Sequence, residues 1–193
     1  MKKILIIALL FSAPLWARDN LVSLNLNSTD LELAYEHTRP LQGTSRSFLG
    51  LEFLSGDDEF DKSQYMISGY VTAMGLTPVP GLGATLGFKA SATRARVGGS
   101  NENLLAIPVQ LGVSYTLPII LRTHLQGSVG FAPKALTLGE AERYQEFRLK
   151  AVIEPMDGGM IYVGWRSLQF DFEGMDDNYK FNESVFVGIG MVF

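Results

Sequence analysis

The sequence predicts an all-β fold, an antiparallel up-and-down transmembrane β-barrel of ten strands with eight as the alternative count, and three observations carry that expectation. Apolar and polar residues alternate with a period of two along most of the chain, the spacing that sends successive side chains to opposite faces of a strand. No stretch beyond the N-terminus reaches the roughly 18 uninterrupted apolar residues of a spanning helix, because a charged or polar residue, Gly or Pro breaks every run. Hydrophobic residues nevertheless make up 47% of the chain, which fits strands that are apolar on one side only.

Lys2 and Lys3, the apolar run 4–11, and then Ser12, Ala13, Pro14, Leu15, Trp16 and Ala17 read as an export signal, residues 1–17, cleaved after Ala17. As a helix the run spans about 12 Å at about 1.5 Å per residue, far short of a bilayer core of roughly 30 Å. Residues 18–193 then read as one barrel domain. The strand candidates are 21–26, 30–37, 46–55, 64–74, 82–93, 105–115, 121–131, 144–154, 159–172 and 182–193. The first hairpin is the weakest, and omitting it leaves eight.

The alternation is clearest over 105–131. Leu105, Ile107, Val109, Leu111, Val113 and Tyr115 share one face, opposed by Ala106, Pro108, Gln110, Gly112 and Ser114. After a tight turn at Pro118, Leu121, Thr123, Leu125, Val129 and Phe131 oppose Arg122, His124, Gln126, Ser128 and Gly130. In 159–172 the apolar face changes parity, with Ile161, Val163 and Trp165 first and Leu168, Phe170 and Phe172 after, so a bulge is expected near Arg166 and Ser167. The connections 75–81, 116–120 and 155–158 are short and marked by Pro or Gly, whereas 56–63, 94–103, 133–142 and 173–181 are longer and mostly polar. Short periplasmic turns and longer external loops are the usual asymmetry of an outer-membrane barrel, and an even strand count puts both termini on the periplasmic side.

In such a barrel the apolar face meets lipid and the other face lines the lumen. The residues expected to line the lumen are unusually charged: Glu32, Glu36, Glu52, Lys89, Arg122, His124, Glu146, Arg148, Lys150, Glu154 and Arg166. A soluble ligand-binding barrel has the same period with inside and outside exchanged. Two features favour the membrane version: the apolar faces are broad and nearly free of charge, and aromatics gather at strand ends. Tyr35, Phe53, Tyr65, Tyr115, Phe131, Phe172 and Phe193 fit interfacial girdles.

The chain ends in Phe193, preceded at alternate positions by Met191 and Ile189, with Gly188 and Phe186 further back. This C-terminal strand resembles the assembly signal of outer-membrane barrels, matching it at Gly188, Ile189, Met191 and Phe193 and departing at Phe186, where a polar residue is usual. Together with Tyr162-Val163-Gly164-Trp165-Arg166 leading to Phe170-Asp171-Phe172, the chain resembles the YfaZ family of small outer-membrane proteins, most strongly from Ala106 onward. The resemblance implies an outer-membrane barrel and supplies no catalytic motif.

Several chemistries lack material. There is no cysteine, and His37 and His124 are the two histidines, so thiol and transition-metal chemistry are not expected, and no cofactor is expected. His124 lacks the His-x-Ser pattern of the barrel deacylases. Gly81, Gly83 and Gly87 lie in a strand pattern rather than before a helix, which argues against a nucleotide loop. Loop acids at Asp57, Asp58, Glu59, Asp61, Glu173, Asp176 and Asp177 follow no EF-hand spacing and read as solvated. With a formal net charge of −4, no nucleic-acid partner is expected. The partners expected are outer-membrane lipid and lipopolysaccharide, plus the barrel-insertion machinery during assembly. The functional expectation is a non-enzymatic barrel of structural or surface-interaction role, with a narrow pore for small solutes and a soluble periplasmic ligand-binding barrel as the alternatives.

Overall fold

A computed structural model describes residues 19–41, 43–57, 63–97, 100–118, 122–139, 141–172 and 179–193. The export-signal reading of residues 1–17 and the acidic loop residues 58–61 and 173–177 lie outside the described residues. Among the described residues twelve strands run in chain order as β1 (Asn20–Leu26), β2 (Leu31–Pro40), β3 (Arg46–Asp57), β4 (Ser63–Leu76), β5 (Leu82–Val97), β6 (Ser100–Ala106), β7 (Val109–Thr116), β8 (Thr123–Ala132), β9 (Thr137–Leu138), β10 (Ala141–Met156), β11 (Gly159–Phe172) and β12 (Tyr179–Val192). A 3-10 turn, Lys134–Leu136, stands between β8 and β9.

Antiparallel pairing runs around the whole sheet, and β1 pairs with β12, so the sheet closes. The wall has ten staves, because β6 and β7 are two halves of one. β7 pairs with the first half of β5, Leu82 opposite Tyr115, while β6 pairs with the second, Ser91 opposite Ala106. The break falls at Ile107 and Pro108. Pro108 has no N–H to give the ladder; its carbonyl accepts from the Lys89 amide at 3.0 Å, and the Ile107 amide donates to the Leu136 carbonyl at 2.8 Å. The short β9 then continues the wall beside β6 in place of β8. The chain ends seal the cylinder: the Asn20 amide donates to the Phe193 carbonyl at 3.1 Å, and the Phe193 amide returns to Asn20 at 2.9 Å.

Two sequence expectations about the connections change. The stretch 94–103, read as a loop, is mostly strand, with Arg94 opposite Asn103 and Val97 opposite Ser100. Its polar residues break the apolar alternation by which the strands were recognised, so the pairing there left no sequence signal. At β10–β11 the turn is reduced to Asp157 and Gly158, and Gly158 takes φ +79°, a left-handed conformation that glycine adopts without a Cβ penalty.

The expected bulge near Arg166 and Ser167 is corrected. β11 keeps one parity from end to end: Tyr162, Gly164, Arg166, Leu168, Phe170 and Phe172 are all buried, whereas Ile161 and Val163 are exposed. The bulge lies on β12, where Leu168 pairs with Asn182 but Gln169 pairs with Lys180, leaving Phe181 unpaired and turned inward. Leu168, Phe170 and Phe172 therefore do not continue an outer apolar stripe, and Phe172 is not an outer-girdle residue. They belong to an interior apolar cluster with Leu54, Met66, Leu104, Tyr144 and Phe181. The outside of the wall is a belt of exposed apolar side chains, among them Leu51, Ile67, Leu86, Val113, Leu149 and Val187.

Candidate functional site

The interior holds a network of charges contributed by β2, β3, β5, β10 and β11. Strand parity aims each one inward, because the even positions of β2, β3, β10 and β11 and the odd positions of β5 face the lumen. Lys89 sits between two carboxylates, its Nζ 3.1 Å from Glu52 Oε1 and 3.0 Å from Glu146 Oε2. Arg148 reaches three, donating to Glu32 at 2.9 Å, Glu52 at 3.2 Å and Glu146 at 3.1 Å. Arg166 pairs with Glu32 and lies 3.5 Å from Asp30. Neutral donors complete the carboxylates: Tyr144 donates to Glu146 at 2.9 Å, and the Asn25 amide donates to Glu32.

Burial makes this arrangement consequential. The side chains of Lys89, Arg166 and Glu32 are each 1% exposed, and that of Arg148 is 11%. A charge buried without a partner would cost several kcal/mol, so the mutual pairing keeps the lumen filled rather than strained. The network also stitches together strands far apart in sequence, for Glu32 and Arg148 are 116 residues apart.

The interior is layered along the axis. Toward the barrel end that holds Ser63, Phe172 and Tyr179 the network gives way to the apolar cluster, where Tyr144 and Phe170 pack edge to face at 5.0 Å between ring centroids. Toward the termini a smaller apolar group of Val152, Tyr162 and Phe186 packs with Met160. Lys150 stands beside it, its Nζ 5.1 Å from the Tyr162 ring centroid. Glu36 accepts from the Tyr70 hydroxyl at 2.8 Å.

Three residues expected in the lumen, Arg122, His124 and Glu154, lie toward the terminal end. Arg122 is in the β7–β8 turn, not on a strand: it adopts φ 56°, and its half-exposed side chain pairs with Asp157 of the β10–β11 turn. A left-handed residue ends the alternation, so parity counted from Leu121 does not apply to it. His124 holds Thr116 Oγ1 at 3.0 Å on Nδ1 and Glu154 Oε1 at 3.1 Å on Nε2. In the C-terminal strand Gly188 is covered by the Tyr162 ring, Ile189 and Met191 are exposed on the outer face, and Phe186 is buried, with the Arg166 guanidinium 5.4 Å from its ring centroid.

Asp30, Asn182 and Tyr70 escaped the sequence reading. Asp30 shares the even parity of Glu32 and Glu36, which was the available signal; it accepts from Asn182 at 2.7 Å as the β1–β2 turn folds inward. That turn is set locally, since Asn27 Oδ1 accepts from the amides of Thr29 and Asp30 at 2.8 and 2.5 Å.

Two proteins of known structure are similar in outline. The NanC porin is 9% identical, with 90% of this chain and 98% of that one covered at a TM-score of 0.46. The outer membrane channel DcaP of Acinetobacter baumannii is 13% identical, with 90% of this chain covered at a TM-score of 0.43, and the present chain spans 62% of its length. No curated protein matches the chain. A family model described as YfaZ precursor matches residues 41–193, the wall from β3 to β12 with Glu52, Lys89, Glu146, Arg148 and Arg166 inside it, and the chain belongs to that family.

Proposed function

We propose that the protein is an outer-membrane barrel whose lumen is its structural core, and that it acts at the membrane through its surface and loops, without catalysis and without conducting solutes. In this reading residues 1–17 direct export. Gly188, Ile189, Met191 and Phe193 form the signal read by the insertion machinery, and lipid and lipopolysaccharide cover the belt. The observation that carries the reading is the Lys89–Glu52–Arg148–Glu146 cluster: every member lies within 3.2 Å of a partner of opposite charge, directly beneath an apolar layer that includes Leu54, Met66 and Phe170. Membrane placement is supported by the reversed polarity of the wall, with Lys89 and Glu146 buried while Leu51, Leu149 and Val185 are more than half exposed. A water-soluble barrel would have to leave that belt in contact with water. A wide passage would need these pairs to part.

Conductance in a planar bilayer tests it. Folded protein should insert without discrete current steps at moderate voltage. Regular steps that respond to substitution of Lys89 or Arg148 would replace the structural reading with that of a narrow pore.

A further inference from the structure

Side chains close the lumen more tightly at one end than at the other. Toward the ring cluster the inward residues Leu54, Met66, Leu168 and Phe170 are at most 1% exposed. In the terminal half, β5, β7 and β8 carry small or polar residues inward: Thr85, Gly112 and Ser128 form one row beside Arg148, and Gly83, Ser114 and Gln126 form the next beside Lys150. A Cβ on Gly112 would first meet the Gly127 carbonyl, Thr85 Cβ and Ser128 Cβ, at 3.3–3.6 Å, whereas rings lie over Gly50, Gly164 and Gly188. Gln126 faces inward opposite Lys150 and is nevertheless exposed. Solvent therefore enters this half and meets the ion-pair network as its floor.

Two charges of opposite sign stand in the chamber without a charged partner. Glu36 accepts from the Tyr70 hydroxyl at 2.8 Å, and Lys150 Nζ lies 5.1 Å from the Tyr162 ring centroid. Among the described residues no cation lies within 4.0 Å of the Glu36 carboxylate, no carboxylate lies within 4.0 Å of Lys150 Nζ, and no acceptor takes a hydrogen bond from that ammonium. Nor do the two meet each other. β11, β12 and β1 stand between their strands, and each acts on the other's charge from across the lumen. On the wall beside Lys150, Thr85, Gln126 and Ser128 have no side-chain hydrogen-bond partner among the described residues. Arg46 also faces inward, but it stands at the rim opposite Pro40, four positions beyond the Gly50 that pairs with Glu36.

We propose that this chamber binds a small zwitterion, an amino acid, with its carboxylate on Lys150 and Gln126 and its ammonium on Glu36. A charge held in a partly dry lumen is costly without a counter-charge, and a solute with one charge of each sign supplies both while leaving the net charge of the interior unchanged. An ion of one sign does less: a lone carboxylate on Lys150 faces Glu36, and a lone ammonium on Glu36 faces Lys150. The hydroxyls and the carboxamide add the few convergent polar groups that orient a bound solute. The network and the ring cluster stay in place behind it, so the site is a blind recess rather than a stage on a path through the barrel. It extends the structural reading of the lumen and does not depend on what surrounds the outer belt.

The test is saturation-transfer NMR of the processed protein, folded in a neutral detergent and titrated with glycine, β-alanine and γ-aminobutyrate, with acetate and methylammonium as single-charge probes. At least one of the amino acids should bind about tenfold or more tightly than either single-charge probe. Glu36→Gln should erase the advantage over acetate, and Lys150→Met the advantage over methylammonium, while Lys180→Ala, at an exposed pair with Glu183, should change neither. Where a variant fails to fold, the comparison of probes on wild type decides alone. Folded wild type that binds acetate or methylammonium as tightly as the best amino acid, or that binds none of the five, overturns the proposal, as does an amino-acid preference that survives in both folded lumen variants. None of these outcomes bears on where the barrel resides, which conductance and fractionation test separately.

Discussion

Three glycines of the wall stand directly opposite aromatic residues on a neighbouring strand: Gly50 opposite Tyr70, Gly188 opposite Tyr162 and Gly164 opposite Phe186. In each pair the ring lies over the glycine, where a Cβ would overlap it, so the glycine is required by the ring it receives. The rings in turn serve the lumen, since Tyr70 donates to Glu36 and Tyr162 faces Lys150. Gly188→Val should destabilise the barrel by about 1–3 kcal/mol through overpacking, read as a lower urea midpoint in detergent, whereas Val187→Ile on the outer face should leave the midpoint unchanged. Lys89 makes a sharper case. Lys89→Met leaves Glu52 and Glu146 facing each other with one cation fewer, and should cost about 3–5 kcal/mol. Lys180→Ala, at an exposed pair with Glu183, should cost nothing measurable in the same assay. The parity of β10 already put Glu146, Arg148 and Lys150 on one face in the sequence. The partners they meet across the lumen were not legible, because those lie on β2, β3 and β5 and depend on how the sheet closes.

Strands differ in how much of their course their own residues decide. β5 alternates along its length and β10 from Tyr144 to Ile153, and over those spans the sequence pattern specifies both faces. β11 shows the opposite case. Its sequence runs apolar at odd positions and then apolar at even ones, which suggests a bulge if the apolar face must always point outward. The strand instead keeps its parity, and the lumen changes character along its length, from Arg166 among charges to Phe170 among rings. A period-2 pattern specifies which residues share a face, but not the environment that face meets at each level. Pro108 is similar: its place in an alternating run hid a break that is filled by β9 and by the Leu136 carbonyl. Phe170→Ala separates the two readings of β11. With the ring in the lumen, 1% exposed, the substitution should cost about 3–5 kcal/mol; a loss well under 1 kcal/mol would put the ring on the outer face.

As a whole, the molecule satisfies its backbone by closure and pairs the charges of its central network across the lumen, which leaves the apolar surface on the outside. Closure removes the strand edges that an open sheet would present, and a chain without cysteine holds its ends together through the Asn20–Phe193 ladder bonds. Ten staves leave an interior only a little wider than side chains can fill, and the ion pairs with the ring cluster occupy it. The fold class, the strand count and the up-and-down order were legible from alternation and turn spacing, because each is a local property repeated along the chain. The inside–outside assignment was harder, because a soluble barrel shares the period; it turns on whether Leu51, Leu149 and Val187 meet lipid or water.

That assignment is open to one direct measurement: fractionation of cells expressing the untagged chain into inner membrane, outer membrane and periplasm, with each fraction run boiled and unboiled on a detergent gel. The protein should appear in the outer-membrane fraction, resist extraction by urea, and migrate differently unless boiled. Recovery from the periplasm without detergent, with the same migration boiled or not, would contradict it.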